Sequence, residues 1–456
     1  MLVVLPRVRY ISPCHLLRAY RTWQKVIMKD EHMPPSRSNP VIKELDNLLF
    51  QSIFTPELND LAQLFKKYNY ELKIAGGAVR DILMDIKPKD LDFATNATPQ
   101  EMKEMFEKEN IRMINNRGEK HGTVTPRIND KENFEVTTLR IDTHTDGRHA
   151  KVEFTTDWKL DALRRDLTIN SMFLDLEGKV YDYFFGYDDL QKRRIAFVGN
   201  PICRIKEDYL RILRYFRFYG RIAEQPDSHD ESTIMAIKDN IHGLEGISGE
   251  RIWSEWSKIL AGNYAKELTL KMLECGLMRY VGLPENPNIE NFIRLCDYTK
   301  DNNISFQPIT LLAVMLKDEV EVLQLHCRFK LSAFERDLAF FLVRFREDKP
   351  VVDLFKFYKR MLIHWKGNFN NGRIYICELL KCKQHFSLAE DMEKLVIPRF
   401  PVSGNMLKQY VKTGQMIGIV IEKLKDIWLD TNFEMNAEEL LQEVPRIISE
   451  LEDKKQ

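Results

Sequence analysis

Between residues 55 and 200, apolar positions recur in short runs that switch between a period near 3.6 and a period of 2, the pattern of helices interleaved with strands. Thr55-Pro56, an N-cap followed by proline at the first helical position, opens a helix through Leu61, Leu64 and Phe65. Leu72–Ala75 reads as a strand that Gly76-Gly77 turns into a helix over 78–84, and Asp90–Ala94 as a second strand. Thr98-Pro99 starts another capped helix, and strands are expected near 111–115, 122–128, 134–139 and 151–155. Residues 171–183 read as a hairpin turning at Glu177-Gly178-Lys179. After about residue 203 the 3.6 period takes over, in 206–219, 249–261, 264–276, 308–325, 333–346 and 405–425. From Ala437 the pattern is an acidic amphipathic helix packed locally. The expected fold class is α+β: a small mixed β-sheet with helices first, then helices alone.

Composition narrows this. At 456 residues the chain is long enough for about two to four domains. Lys+Arg and Asp+Glu both number 68, so the net charge is zero, which argues against a histone-like polycation and against an acidic solvating tail. Nucleic-acid binding stays open, since a local basic stripe suffices. With 44% hydrophobic residues the chain can bury sizeable cores. Seven cysteines without a C-x-x-C pair read as reduced thiols rather than a disulfide framework or a zinc site. No apolar run approaches the roughly 18 residues of a membrane helix. A soluble intracellular protein is expected.

Residues 1–29 hold Arg7, Arg9, Arg18, Arg21, Lys25 and Lys29 and no acidic residue, the composition of a mitochondrial transit peptide or of a disordered basic tail. Initiation at Met28 or Met33 would give a shorter product for the cytosol or nucleus. Pro34–Pro40 reads as a linker.

The chemistry concentrates in Gly76-Gly77-Ala78-Val79-Arg80-Asp81 and Lys89-Asp90-Leu91-Asp92-Phe93. Glycines before a helix let backbone N–H groups approach a phosphate, and Arg80 adds a fork of donors; an ordinary tight turn has the same sequence. Asp90 and Asp92, two apart on a strand, project from one face and repel unless cations intervene. Mg²⁺ takes one or two carboxylates plus phosphate oxygens, and a metal pair can activate a hydroxyl and stabilise a leaving pyrophosphate. The alternative is a solvated strand end. Glu135, alternating with Phe134 and Val136, is in phase to join the aspartates from a neighbouring strand or to face solvent. Arg164-Arg165, flanked by Asp161 and Asp166, either grips a triphosphate or forms local ion pairs. On the helix from 206, Asp208, Arg211, Arg214 and Arg217 step by three along one ridge. They are surface ion pairs, or a mixed donor–acceptor edge for a base with arginines for phosphates. His229-Asp230 lacks partner histidines and reads as a surface loop.

Taken together, GGAVRD and KDLDFAT in 76–95, EVTTLR at 135–140, DALRRDLTINSM at 161–172, EDYLRILRYFRF at 207–218, GERIWSEWSKIL at 249–260 and PVSGNMLKQYVKTGQMIG at 401–418 resemble the CCA-adding tRNA nucleotidyltransferases. The class is the one shared by bacteria and eukaryotes, within the polymerase-β-like superfamily, and the resemblance spans about residues 50–445. After the transit peptide over 1–29 and the linker and lead-in over 30–54 that composition suggests, it implies a catalytic nucleotidyltransferase head over 55–200. A helical neck that selects the base (201–265), a helical body (266–395) and a tRNA-binding helical tail (396–456) would follow.

The resemblance further implies Mg²⁺, in a two-metal site, on Asp90 and Asp92, with Glu135 as the supporting third carboxylate. Gly77, Arg80 and Arg165 would contact the nucleotide's phosphates and sugar. Asp208 and Arg211 would read the base edge, with Arg214 and Arg217 nearby. The implied reaction adds C, C and A to a tRNA 3′ end from CTP and ATP, releasing pyrophosphate, without a nucleic-acid template. Cytosine N4 and adenine N6 donate where uracil and guanine accept, so an acceptor at Asp208 suits the first pair. Lys192, Arg193, Arg194, Arg204 and Lys206 are expected to form part of the tRNA surface, in a monomer or a homodimer. Tyr183 and Phe185-Gly186 depart from a Pro and a Gly-Gly pair that many bacterial relatives carry in the hinge. The rivals are a poly(A) polymerase on the same scaffold, which the segment Arg117–Val124 disfavours, and a non-catalytic tRNA-binding protein, which the three carboxylates disfavour.

Overall fold

The computed structural model describes residues 33–114, 116–145, 150–302, 304–347, 352–411 and 413–453. The leader expected over 1–29 lies outside them. The chain divides into two compact units, one up to Val281 and one from Gly282 on.

The first unit holds strands β1 (Val41–Glu44), β2 (Leu72–Ala75), β3 (Asp92–Thr95), β4 (Arg112–Ile114), β5 (Thr123–Ile128), β6 (Glu132–Asn133), β7 (Glu135–Thr138), β8 (Arg140–Thr145), β9 (Ala150–Phe154), β10 (Phe173–Asp175) and β11 (Lys179–Tyr181). Nine of them form one sheet in the order β1-β11-β10-β2-β3-β7-β5-β4, with β6 on β5; β8 and β9 form a separate ribbon. The sheet is mixed as expected, with β3–β7 its parallel pair and the others antiparallel.

Helices α1 (Pro56–Lys67), α2 (Gly77–Leu83), α3 (Pro99–Lys108), α4 (Trp158–Leu163), α5 (Gly186–Gln191), α6 (Pro201–Glu207), α7 (Arg211–Ile222), α8 (Glu231–Asn240), α9 (Gly249–Leu260) and α10 (Ala265–Glu274) complete the part that builds the site. The Thr55 and Thr98 hydroxyls cap α1 and α3, the latter in a full capping box with Glu101. The apolar stripes of these two helices meet, Phe65 against Phe106 edge-on with centroids 6.1 Å apart. A second core layer joins Ala75 and Ala94 of the sheet to Trp158, Ala162 and Phe173. Alanine at those positions leaves room for α4 close to the strands that carry the candidate carboxylates.

Four sequence expectations need correction. The second strand begins at Asp92, and Asp90 lies in the bend before it. The helix expected over 206–219 is broken at Asp208, which has extended φ/ψ of −152° and 107°. Its carboxylate accepts the N–H of Leu210, as an N-cap does, and so ends α6 and starts the turn into α7. The stretch 308–325 is two helices, Pro308–Ala313 and Glu319–Phe329, because Asp318 caps the second. Likewise 405–425 is Gly404–Leu407 and Gly414–Asp430, restarted by Thr413. Strand β1, inside the expected lead-in, and strand β8 were not anticipated.

From Gly282 on, the secondary structure of the described residues is helical. Leu407, Val420, Leu424 and Trp428 share a core with Leu440, Val444 and Ile447, so the last amphipathic segment packs locally as its pattern predicts. No helix among the described residues is long and apolar enough to cross a membrane.

Candidate nucleotide and metal site

One cleft of about 1180 Å³ in the first unit gathers Gly77, Arg80, Asp92, Glu135, Arg165, Asp208, Arg211, Arg214 and Arg217, nine of the ten residues singled out in the sequence; Asp90 is not among its lining. Nine arginines and two lysines line it against five carboxylates, a strong excess of positive charge suited to a polyphosphate.

Its floor is the end of the sheet. Asp92 of β3 and Glu135 of β7 are direct register partners on parallel strands. Neither carboxylate has an ion pair or side-chain hydrogen bond among the described residues, although arginines surround them. Asp92 keeps an exposed edge at the cleft, yet the partial desolvation of its carboxylate by the surrounding protein raises its pKa, Glu135 and then Asp90 add to this, and Arg165 opposes it. Asp90 is exposed and near enough to be felt, but it does not complete a cluster. Among the described residues no group of three or more His, Cys, Asp or Glu side chains is arranged to hold a metal. Two facing, unpaired hard-oxygen donors do fit a Mg²⁺ that takes its remaining ligands from water and phosphate.

Beside Asp92, β2 runs into Gly76, at φ +68°, where a Cβ would stand 2.9 Å from Arg165 Nη1. Glycine is thus required at 76 rather than at 77, whose Cβ would meet nothing closer than 3.6 Å. Arg80 is buried and held by Asp81 Oδ1, at 3.0 Å from Nε and 2.8 Å from Nη2, and by Asn170 Oδ1 through Nη1. Arg165 donates to Asp161 Oδ2 at 3.0 Å from Nη2 and 3.2 Å from Nε. The ion pairs expected as one alternative at Arg164-Arg165 therefore exist, and the same arginines line the cleft.

The arginines of α7 are arranged otherwise than the ridge suggested. Asp208 Oδ2 accepts from Arg251 Nη2 at 2.7 Å. Arg211 donates to Glu207 Oε2 (2.5 Å) and to the carbonyls of Arg204 (3.0 Å) and Arg164 (2.9 Å). Arg214 Nε is 2.6 Å from Asp166 Oδ2. Burial alone would raise the Asp166 pKa, but the charge and hydrogen bond of Arg214, with Arg211 behind, hold it at about 2. Arg217 donates to Glu255 Oε1 at 3.0 Å.

Sequence reading missed Arg251, Phe218 and Asn170. Phe218 is buried, and Arg80, Arg214 and Arg217 all stack on its ring, with guanidinium carbons 4.8, 5.5 and 4.3 Å from the centroid. Arg251 lay within GERIWSEWSKIL, on the polar face of a strongly amphipathic helix, and that position was the available signal.

A head of this topology, with carboxylates at a strand end beside a Gly-Gly turn, belongs to the nucleotidyltransferases. A family described as "Poly A polymerase head domain" matches residues 72–196, and one described as "Probable RNA and SrmB- binding site of polymerase A" matches 229–287. The chain is 46% identical over 426 residues to the human protein named CCA tRNA nucleotidyltransferase 1, mitochondrial, covering 92% of this chain and 95% of that one. The CCA-adding enzyme of Bacillus pumilus is 39% identical over 209 residues, 45% of this chain and 50% of the relative. Among solved structures, the Bacillus stearothermophilus CCA-adding enzyme in complex with CTP aligns with a TM-score of 0.70 at 24% identity, over 90% of this chain and all of that one. The Thermotoga maritima CCA-adding enzyme complexed with tRNA aligns at 0.58 and 20%, over 89% and 100%. These two show the shared fold. The chain belongs to the CCA-adding tRNA nucleotidyltransferase family.

Proposed function

We propose that the protein adds C, C and A to the 3′ end of tRNA from CTP and ATP, releasing pyrophosphate at each step. The observation that carries this reading is the facing pair Asp92 and Glu135, left without cationic partners in a cleft otherwise crowded with arginine. Mg²⁺ bound there, with Asp90 joining from its bend, would supply Lewis-acid stabilisation of the attacking and leaving oxygens. The protein's own groups do the rest. The Gly76 turn admits the triphosphate close to the backbone, and Arg80 and Arg165, held from behind by Asp81, Asn170 and Asp161, offer donors without needing to be ordered on binding. Arg251 orients the Asp208 carboxylate, whose acceptor oxygens favour the exocyclic amines of cytosine and adenine over the carbonyls of uracil and guanine. The acceptor hydroxyl attacks the α-phosphorus, one P–O bond forms, the bond to pyrophosphate breaks, and the hydroxyl proton leaves toward the carboxylates or water.

The division into head (55–200), neck (201–265), body (266–395) and tRNA-holding tail (396–456) is part of the same reading. So is import into mitochondria directed by 1–29, which the names of the relatives support, with a cytosolic or nuclear product begun at Met28 or Met33. A reporter fused to residues 1–33 tests the import.

The activity test uses a tRNA ending at the discriminator base with Mg²⁺. CTP alone should extend it by two residues and CTP with ATP by three, with none from Asp92→Ala. A long A tail from ATP alone would mark a poly(A) polymerase, and binding without extension a non-catalytic scaffold.

A further inference from the structure

Lys192-Arg193-Arg194 and His229-Asp230 have no part in the cleft, yet the fold brings these two runs to one cavity. It measures about 360 Å³ and lies between the turn that ends α5 and the segment leading into α8. Tyr215 and Tyr219 form its wall. They stand on the side of α7 away from Arg214 and Arg217, so one helix serves the nucleotide cleft with one face and this cavity with another.

The charges are unevenly used. Lys192 and Arg193 have no side-chain partner among the described residues. Arg194 reaches Asp189 only at 3.5 Å and is 57% exposed. Asp230, an acid at the cavity, is engaged as the cap of α8, accepting from Thr233 N at 2.9 Å, Thr233 Oγ1 at 3.1 Å and Ser232 Oγ at 2.5 Å. Glu224 is the other acid in the lining. His229 is not the free loop residue its sequence suggests: its Nδ1 lies 3.0 Å from the Tyr215 hydroxyl and its ring packs on Tyr219 with centroids 3.9 Å apart. Burial, aided by the charge of Lys271, lowers its pKa to about 4, so it is a neutral wall. Arg204, expected beside these cations, is instead buried against the Leu163 carbonyl (2.7 Å) and Glu207 (2.6 Å).

We propose that this cavity binds a phosphate group at a site separate from the nucleotide cleft. Two cations without partners, a third loosely held, and a concave wall of tyrosine and neutral histidine suit an oxyanion more than any cation or neutral metabolite. The phosphate comes either from the backbone of the bound RNA, which rests on the tRNA reading above, or from free phosphate or pyrophosphate, which does not. Because the wall belongs to α7, occupancy bears on the helix that carries Arg211, Arg214 and Arg217.

The test compares the full chain with Lys192→Glu/Arg193→Glu, and with Lys192→Ala should the double variant fold poorly. tRNA affinity is measured against salt, and phosphate and pyrophosphate are titrated onto nucleotide-free protein while the His229 imidazole resonance, assigned with His229→Gln, is followed. An RNA source predicts a roughly three- to tenfold loss of tRNA affinity and a salt slope lower by about one per lost contact. A free-phosphate source predicts a saturable His229 shift that the variant lacks. Unchanged tRNA affinity and slope together with no saturable shift would overturn the proposal. Failure of the wild type to extend tRNA would overturn the CCA-adding reading instead, and the phosphate titration would still decide the cavity.

Discussion

Asp92 and Glu135 stand directly opposite one another on the parallel pair of the mixed sheet, and neither is neutralised by the arginines that line the same cleft. Every other carboxylate of that cleft lies within 4 Å of an arginine nitrogen: Asp142 near Arg140 and Arg164, Asp166 at Arg214, Asp208 at Arg251. Such a pairing pattern separates the acids that organise the protein from the acids left for a ligand.

Removing the Asp92 charge, disfavoured first by desolvation and then by Glu135, therefore stabilises the protein when divalent ions are absent. Asp92→Asn in EDTA should melt above the wild type, because the raised pKa of Asp92 marks an ionised form disfavoured in the fold at neutral pH. Adding Mg²⁺ should raise the wild-type melting temperature more than that of the variant. Extension of tRNA by the variant should fall by at least about a hundredfold. Calorimetry with and without Mg²⁺ and a gel assay check the two halves.

The Asp166–Arg214 pair predicts an acid limb of stability. Its folded pKa of about 2 lies below the usual 3.8, so its contribution is full above about pH 4 and disappears as the pH falls through 2. Roughly two pH units correspond to about 2–3 kcal/mol. Asp166→Asn should lower the unfolding free energy by about that amount at pH 7 and by little near pH 2, as read from urea melts.

Arg251→Ala should damage base choice without touching the phosphates. With Arg251 gone, Asp208 is held only by the Leu210 N–H on its other oxygen, and kcat/KM for both CTP and ATP should drop by about tenfold or more. Incorporation of UTP and GTP should rise relative to the correct nucleotides. Equal loss for all four nucleotides would argue that Arg251 acts on the fold alone.

Gly186→Ala tests the junction after β11. A Cβ at Gly186 would overlap the Thr168 carbonyl, a backbone atom that cannot rotate away. Destabilisation of about 3 kcal/mol is expected, visible as a lower melting temperature. Gly246→Ala, where a Cβ meets nothing, serves as the control.

Much of this was legible in the sequence wherever local chemistry decides. The Thr-Pro caps of α1 and α3, the strand endings and the alternation around Glu135 each announce their element within a few residues. The register that sets Asp92 against Glu135 could only be guessed from phase, since it depends on parallel strands 43 residues apart. Periodicity was misleading where a capping side chain interrupts a continuous apolar stripe, as at Asp208, Asp318 and Thr413, because the stripe persists while the backbone breaks. Arg251 and Phe218 were invisible as site residues for a different reason. Their importance lies in what they hold, and a partner distant in sequence leaves no mark on the local pattern.

The break at Asp208 has a mechanical meaning. A residue inside a helix is locked to its screw, and moving its side chain by an ångström means moving the helix. Asp208 lies at a joint between two rigid rods, tethered by one capping bond and one ion pair, so small rotations about two or three backbone torsions can re-aim its carboxylate while both ladders stay intact. In the proposed role, one acceptor must meet an amine on a one-ring base twice and on a two-ring base once. A jointed reader can follow that change in reach, where a reader fixed within a continuous helix would suit only one of the two.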